Sequence, residues 1–180
     1  PIHSSAASDV YKRQVEDRLA GHNSAGHLMF VIIPTLMLEL SAGTLKPPPP
    51  LPDGAPDFAS MPVIEMNWLD HPADLTRMRD GLRLALRLAA SAEMATVIEH
   101  PIHPPSDEVT ADSADADLEA WVANHVITSH HQSSTCRMGD PSDPAAVCDE
   151  DGKVLKTSGL RVVDASILPD CPRANTQVTT

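Results

Sequence analysis

Four consecutive prolines, Pro47 to Pro50, divide this chain more firmly than any other feature. Each proline locks φ and removes a backbone donor, so the run is excluded from helix interiors and from paired central strands. Pro52, Pro56 and Pro62 extend the restriction, and Lys46 to Pro62 is read as loop or polyproline II. Tracts of this kind space elements more often than they recruit partners, so spacing is preferred over a Pro-rich binding motif.

The stretches on either side of the tract differ in period. Before it, Phe30-Val31-Ile32-Ile33 is a β-branched run suited to a buried strand, closed by Pro34. Thr35 to Leu40 reads as a second short strand, and Ser41 to Lys46 as a turn into another. Beyond the tract, Pro62 to Leu69 resumes an extended pattern. His71-Pro72-Ala73-Asp74 then opens the clearest helix, with Asp74 in the first turn, where a carboxylate meets free N–H groups and the positive dipole end. Leu75, Met78, Leu82, Leu86 and then Leu88 to Ala89 follow spacings of three and four, which predicts a helix to about Met94. Arg77, Arg79, Arg83 and Arg87 lie on or beside its other face and read as solvated. A second helix is expected over Ser113 to Asn124, with Leu118, Trp121 and Val122 as its apolar face.

Aromatics make up 3% of the chain against 42% hydrophobic residues, so the core must be aliphatic. With 180 residues the chain is one ordinary domain or a piece of a larger protein. The expected class is α+β: a mostly antiparallel sheet, from residues about 26 to 70, covered by helices. Residues 1–14, PIHSSAASDVYKRQ, are small, polar and aperiodic, resemble translated adapter sequence, and read as a leader outside the fold. Residues 15–129 would form the body, and 130–180 a C-terminal segment carrying the site.

A formal net charge of −12 disfavours nucleic acid and anionic membrane surfaces as partners. No apolar run is long enough to span a bilayer. Cys136, Cys148 and Cys171 cannot all pair with one another and show no CxxC spacing, which suits reduced thiols in a cytoplasmic protein. His100 and His103 are interleaved with prolines, and the spacings among His125, His130, His131 and Cys136 match no common zinc pattern. No metal site is therefore expected.

The chemistry gathers in His130-His131-Gln132-Ser133-Ser134-Thr135-Cys136-Arg137-Met138-Gly139. An imidazole can accept a proton near neutral pH, which few side chains can do. Gly159 to Pro169 follows, with the buried-type strand Leu160 to Val163 ended by Asp164-Ala165-Ser166, small residues that let a ligand approach the backbone. Asn175-Thr176 then offers an amide and a hydroxyl, at the expected start of a further helix. These pieces are expected to fold into one site.

Taken together, in this order and spacing, His131 to Gly139, Gly159 to Pro169 and Asn175-Thr176 resemble the C-terminal signature of the glucose–methanol–choline (GMC) flavin oxidoreductases. Ser41 to Leu45, Pro62 to Leu69 and His71 to Leu75 resemble its substrate-domain sheet and following helix. The resemblance implies oxidation of a small-molecule alcohol with hydride transfer to FAD. It implies that His131 is the base removing the hydroxyl proton and that His130 lies against the flavin. Asn175 falls on the family's second active-site position, where its amide would orient the substrate oxygen without acting as a base. Asp164 and Ala165, and Asn175 with Thr176, match segments that approach the cofactor. Residues distant in sequence must converge for such chemistry.

Three departures accompany the resemblance. Gln132-Ser133-Ser134 stands where the family shows Pro-x-Gly, and Ser134 lacks glycine's freedom at positive φ. Cys148 replaces a usual valine. Cys171 to Ala174 replaces a smaller segment, and Arg173 within it suits an anionic substrate. No GxGxxG follows a strand in this chain, so the loop that carries the FAD pyrophosphate is not expected here. The chain is accordingly expected to be a C-terminal fragment, inactive without an N-terminal FAD domain.

Overall fold

The computed structural model describes residues 31–98 and 104–176, which places residues 1–14, Phe30, His100, His103 and the chain beyond Thr176 outside the described residues. The class is α+β, and the described residues hold one antiparallel strand pair and two α-helices.

Strand β1, Thr44–Lys46, pairs with β2, Val63–Glu65, with Leu45 opposite Ile64. The proline tract is the connection between them, which accords with its inability to enter a ladder. Glu65 ties the pair from its side chain, accepting from Thr44 Oγ1 at 2.6 Å and Lys46 Nζ at 2.7 Å. Every residue of both strands is exposed, so cross-strand contacts rather than a core hold them.

The sheet is shorter than expected. Val31 to Leu40 forms no strand. Pro34 interrupts its donors, and Leu38 adopts φ +55°, which breaks an extended run. The segment is instead fastened to the first helix, α1 (Pro72–Ala89). Arg77 donates to the carbonyls of Met37 (2.8 Å) and Leu38 (3.0 Å). The backbone N–H groups of Leu40 and Ser41 and the Ser41 hydroxyl all donate to one carboxylate oxygen of Asp74, at 2.7–2.8 Å.

Pro72 at the first position and the His71 imidazole, which accepts from the Ala73 N–H at 3.2 Å, start α1. The helix ends at Ala89, short of Met94, because the chain turns at Ser91, whose hydroxyl accepts from the Met94 N–H. The second helix, α2, spans Asp115–His125. Leu82 of α1, Leu118 and Val122 of α2 and Val109 from the loop before α2 form the aliphatic core, flanked by Leu69, Leu75, Met78, Leu86 and Trp121.

The arginines of α1 are largely not a solvated face. Arg79 pairs with Asp115 (2.9 Å) and Glu119 (2.8 Å), and Arg83 with Asp115 (2.9 Å). Arg83 also donates to the carbonyls of Ala111 and Ser113. The two guanidinium groups therefore clamp α2 and its approach loop onto α1. Leu160 to Val163 likewise departs from the buried strand expected. Only Arg161 pairs, in an isolated bridge with Lys153, and Val163 is 85% exposed. No described helix is long and apolar enough to cross a membrane.

Candidate active site

Beyond α2 the chain holds its shape through turns and backbone hydrogen bonds. His130 adopts φ +63° and Ser134 φ +70°. The left-handed region is tolerated by histidine more than by most residues, and it turns the chain sharply on either side of His131. Ser134 thus takes the conformation a glycine would take there, although it carries a side chain. Thr128 anchors the turn, its hydroxyl accepting from the His130 N–H at 2.9 Å and from the Gln132 amide at 3.0 Å.

From Ser134 the chain runs beside Ala165–Ile167. The N–H groups of Ser134, Cys136 and Met138 donate to the carbonyls of Ala165, Ser166 and Ile167, at 3.3, 2.9 and 2.8 Å. Behind this ladder, Arg137 and Gly139 exchange backbone hydrogen bonds with Val147 and Cys148. Gly139 fits a tight spot there, because a Cβ would lie 3.0 Å from that of Ala146 and push it aside. Cys148 is fully buried, and burial pushes its thiol up, with the nearby Cys136 and Asp149 adding to the shift. Its packing role suits a position at which valine is usual. All three cysteines are free thiols.

The predicted site residues are distributed as follows. His131 and Thr176, 45 residues apart in sequence, meet at 3.3 Å between Nδ1 and Oγ1. Thr176 is buried and His131 half-buried. Ala165 joins them through its carbonyl on the Ser134 N–H. Asn175 is exposed and adjoins Thr176. Asp164 turns its carboxylate into its own backbone, capping a short 3-10 turn over Ala165–Ile167 by accepting from the Ser166 N–H and hydroxyl. The Ser166 hydroxyl and then its N–H hold the Asp164 carboxyl below the usual carboxylate range. The His130 side chain is exposed and makes no hydrogen bond among the described residues. Arg173 is exposed too. Among the described residues no group of three or more His, Cys, Asp or Glu is placed to hold a metal ion.

Sequence reasoning missed the support beneath this site. The Cys171 thiol is raised by burial and then by a hydrogen bond to the Glu39 side chain, against the opposing effect of the Leu38 backbone and the Ser133 hydroxyl. The segment that Asp74 and Arg77 hold against α1 therefore reaches Cys171, in the segment before Asn175, and Cys171 in turn meets Ser133 of the His131 turn. Nothing in the spacing of Glu39, Ser133 and Cys171 signals this, because Cys171 meets partners 132 and 38 residues before it, at Glu39 and Ser133. Thr128 carried a readable signal, as a hydroxyl two residues before a turn bonding back to the backbone.

Comparison with known proteins places this geometry in context. Residues 52–180 match the family model described as GMC oxidoreductase. Pyranose dehydrogenase 3 of Leucoagaricus meleagris is 37% identical over 117 residues, covering 65% of this chain and 19% of that protein. An oxygen-dependent choline dehydrogenase of Photobacterium profundum is 34% identical over 119 residues, covering 66% and 20%. Among solved structures, a formate oxidase of Aspergillus oryzae RIB40, studied for its FAD modification, superposes with a TM-score of 0.61 at 26% identity, covering 77% of this chain and 22% of that one. The chain spans about a fifth of the length of each of these relatives.

Proposed function

The chain belongs to the GMC oxidoreductase family, and on that premise we propose that it carries the proton-handling half of an FAD-dependent enzyme that oxidises CH–OH groups of small alcohols. In this reading residues 15–129 contribute to the substrate domain, and 130–180 carry the site and return to an FAD domain elsewhere in a longer protein. The observation that supports it most is the contact of His131 with Thr176, 45 residues apart, with Ala165 bonded to Ser134 of the His131 turn and Asn175 next to Thr176 in the chain.

The local chemistry fits a flavin on this face. Ala165 presents only a methyl group, and Asp164 keeps its carboxylate in its own turn. A flat ring can therefore approach the 164–165 backbone without meeting a bulky side chain. When bound, FAD supplies the hydride acceptor. His131 takes the hydroxyl proton on Nε2 while Nδ1 remains on Thr176. The Asn175 amide donates to the substrate oxygen and fixes its orientation. His130, displayed by its left-handed turn, would lie against the cofactor.

The test is the visible spectrum of the purified full-length protein under anaerobic titration with an alcohol panel. Flavin bands bleached by an alcohol, and bleached about 10²–10⁴-fold more slowly in His131→Ala, are the expected result for loss of a general base. Bleaching of the variant at the wild-type rate would remove His131 as the base. A full-length protein without flavin bands would remove the cofactor assignment.

A further inference from the structure

The contact between His131 and Thr176 has a consequence for the imidazole itself. A neutral imidazole carries one N–H, on either Nδ1 or Nε2, and only the nitrogen without it can accept a proton. In small histidine compounds the proton prefers Nε2, which would leave the wrong nitrogen available for the role given to His131 above. We infer that the Thr176 hydroxyl accepts a hydrogen bond from Nδ1–H of His131, and so holds the ring in the tautomer whose Nε2 lone pair is open to a substrate hydroxyl. Thr176 is on this account a positioning residue, and the inference rests on the reading of His131 as the base.

The geometry around the pair favours a fixed partner. Thr176 is buried, so its oxygen is shielded from competing water, whereas the half-buried ring sits nearer the surface. The ring cannot drift far from it. The His131 backbone lies between the left-handed turns at His130 and Ser134, and Ser134 is tied to Ala165. At 3.3 Å the contact is at the long end for a hydrogen bond. That length supports a bias in a tautomer equilibrium rather than an absolute lock. A hydroxyl has lone pairs to accept with even when its own proton is engaged elsewhere, so other contacts of Thr176 do not compete with this one.

The tautomer is read directly by 15N–1H long-range correlation spectra of the histidine-labelled full-length protein, with no substrate present. The pH is set above the ordinary imidazole range so that the ring is neutral. A His131→Gln spectrum assigns the ring of interest among the other histidines. The expected pattern is Nδ1–H for His131 in the wild type and in Thr176→Ser. In Thr176→Val the ratio should move toward Nε2–H by roughly five- to tenfold, the population change that a hydrogen bond of ordinary net strength confers. A wild-type ring with its proton on Nε2 overturns the inference, and that spectrum suffices even if Thr176→Val fails to fold. An unchanged ratio in a folded Thr176→Val overturns it equally. Failure of the base assignment appears elsewhere, as His131→Ala bleaching at the wild-type rate, and leaves this measurement standing.

Discussion

Asp74 is the residue whose removal should be felt most. One of its carboxylate oxygens accepts from two backbone N–H groups and one hydroxyl, and the other is 3.3 Å from Arg77. Its side chain is fully buried. Truncation to alanine strands those three donors, at about 1–3 kcal/mol for each one that water cannot reach. Leu40 is 55% exposed, so its N–H is rescued in part and the lower end of the range applies. The expected loss for Asp74→Ala is about 3–4 kcal/mol, against a typical total of about 5–15 kcal/mol. Asp74→Asn keeps an acceptor but gives up the charge and turns an amide toward Arg77, at a cost of about 1–2 kcal/mol. Asp80→Ala is the control. Its carboxylate meets Arg79 on the surface, and the change should stay within about 0.5 kcal/mol. Urea denaturation followed by circular dichroism gives all three values. Burial raises the Asp74 carboxyl, but the Ser41 hydroxyl, the Ser41 and Leu40 amides and the Arg77 charge outweigh it, so the pKa is lowered on folding. A depressed folded pKa gives stability that is complete above the ordinary carboxylate range and fades as pH falls through the folded value. The gap between wild type and Asp74→Asn should therefore narrow in acid. Equal midpoints for Asp74→Ala and Asp80→Ala, or a gap that widens in acid, would refute the assigned network.

Two further substitutions probe the backbone. Ser134→Gly should stabilise the chain by about 0.5–1 kcal/mol, because glycine relieves a left-handed strain that exceeds its extra unfolded-state entropy. A lower thermal midpoint would mean that Ser134 is not in that conformation. Gly43→Ala should cost about 1–3 kcal/mol, since a Cβ there would lie 2.5 Å from the Glu65 carbonyl oxygen and 3.0 Å from that of Met66, both backbone atoms that can move only with the strand. An unchanged melting temperature would show that β1 and β2 are set further apart.

The helices were legible because their signal is local. The spacing from Leu75 to Leu86 in α1 and the Leu118–Val122 pair in α2 needed only a period of three to four. The proline tract was legible for the same reason, since a chain without donors has few options. The strand expected over Phe30 to Ile33 and the one over Leu160 to Val163 failed differently. Both rest on β-branched composition, which reports fitness for a pleated surface and not the presence of a partner strand. Within the described residues Val31 to Leu40 finds Asp74 and Arg77 instead, and Leu160 to Val163 finds a single bridge. The arginines were misread because a charged face looks the same in sequence whether water or another helix's carboxylates lie against it.

The candidate site divides its labour between backbone and side chains. Its shape comes from hydrogen bonds made by main-chain groups of Ser134, Cys136 and Met138, from two left-handed residues, and from the Leu40–Ser41 segment that Asp74 secures, at least 130 residues upstream of Cys171. None of these contacts uses the His131 imidazole or the Asn175 amide as a structural support, apart from the single bond to Thr176 and whatever Asn175 meets beyond its neighbours. This explains how Gln132-Ser133-Ser134 can stand where Pro-x-Gly is usual. The turn depends on a φ value that Ser134 can reach at a cost of about 1 kcal/mol, and a ladder of backbone bonds on its C-terminal side repays that strain. It also separates two kinds of mutational effect. Changes at His131 should alter chemistry and leave the denaturation midpoint nearly in place, whereas changes at Asp74 or Ser134 should move the midpoint first. A His131→Ala variant as unstable as Asp74→Ala would mean that the imidazole is itself part of the scaffold, and its loss of activity would then say nothing about proton transfer.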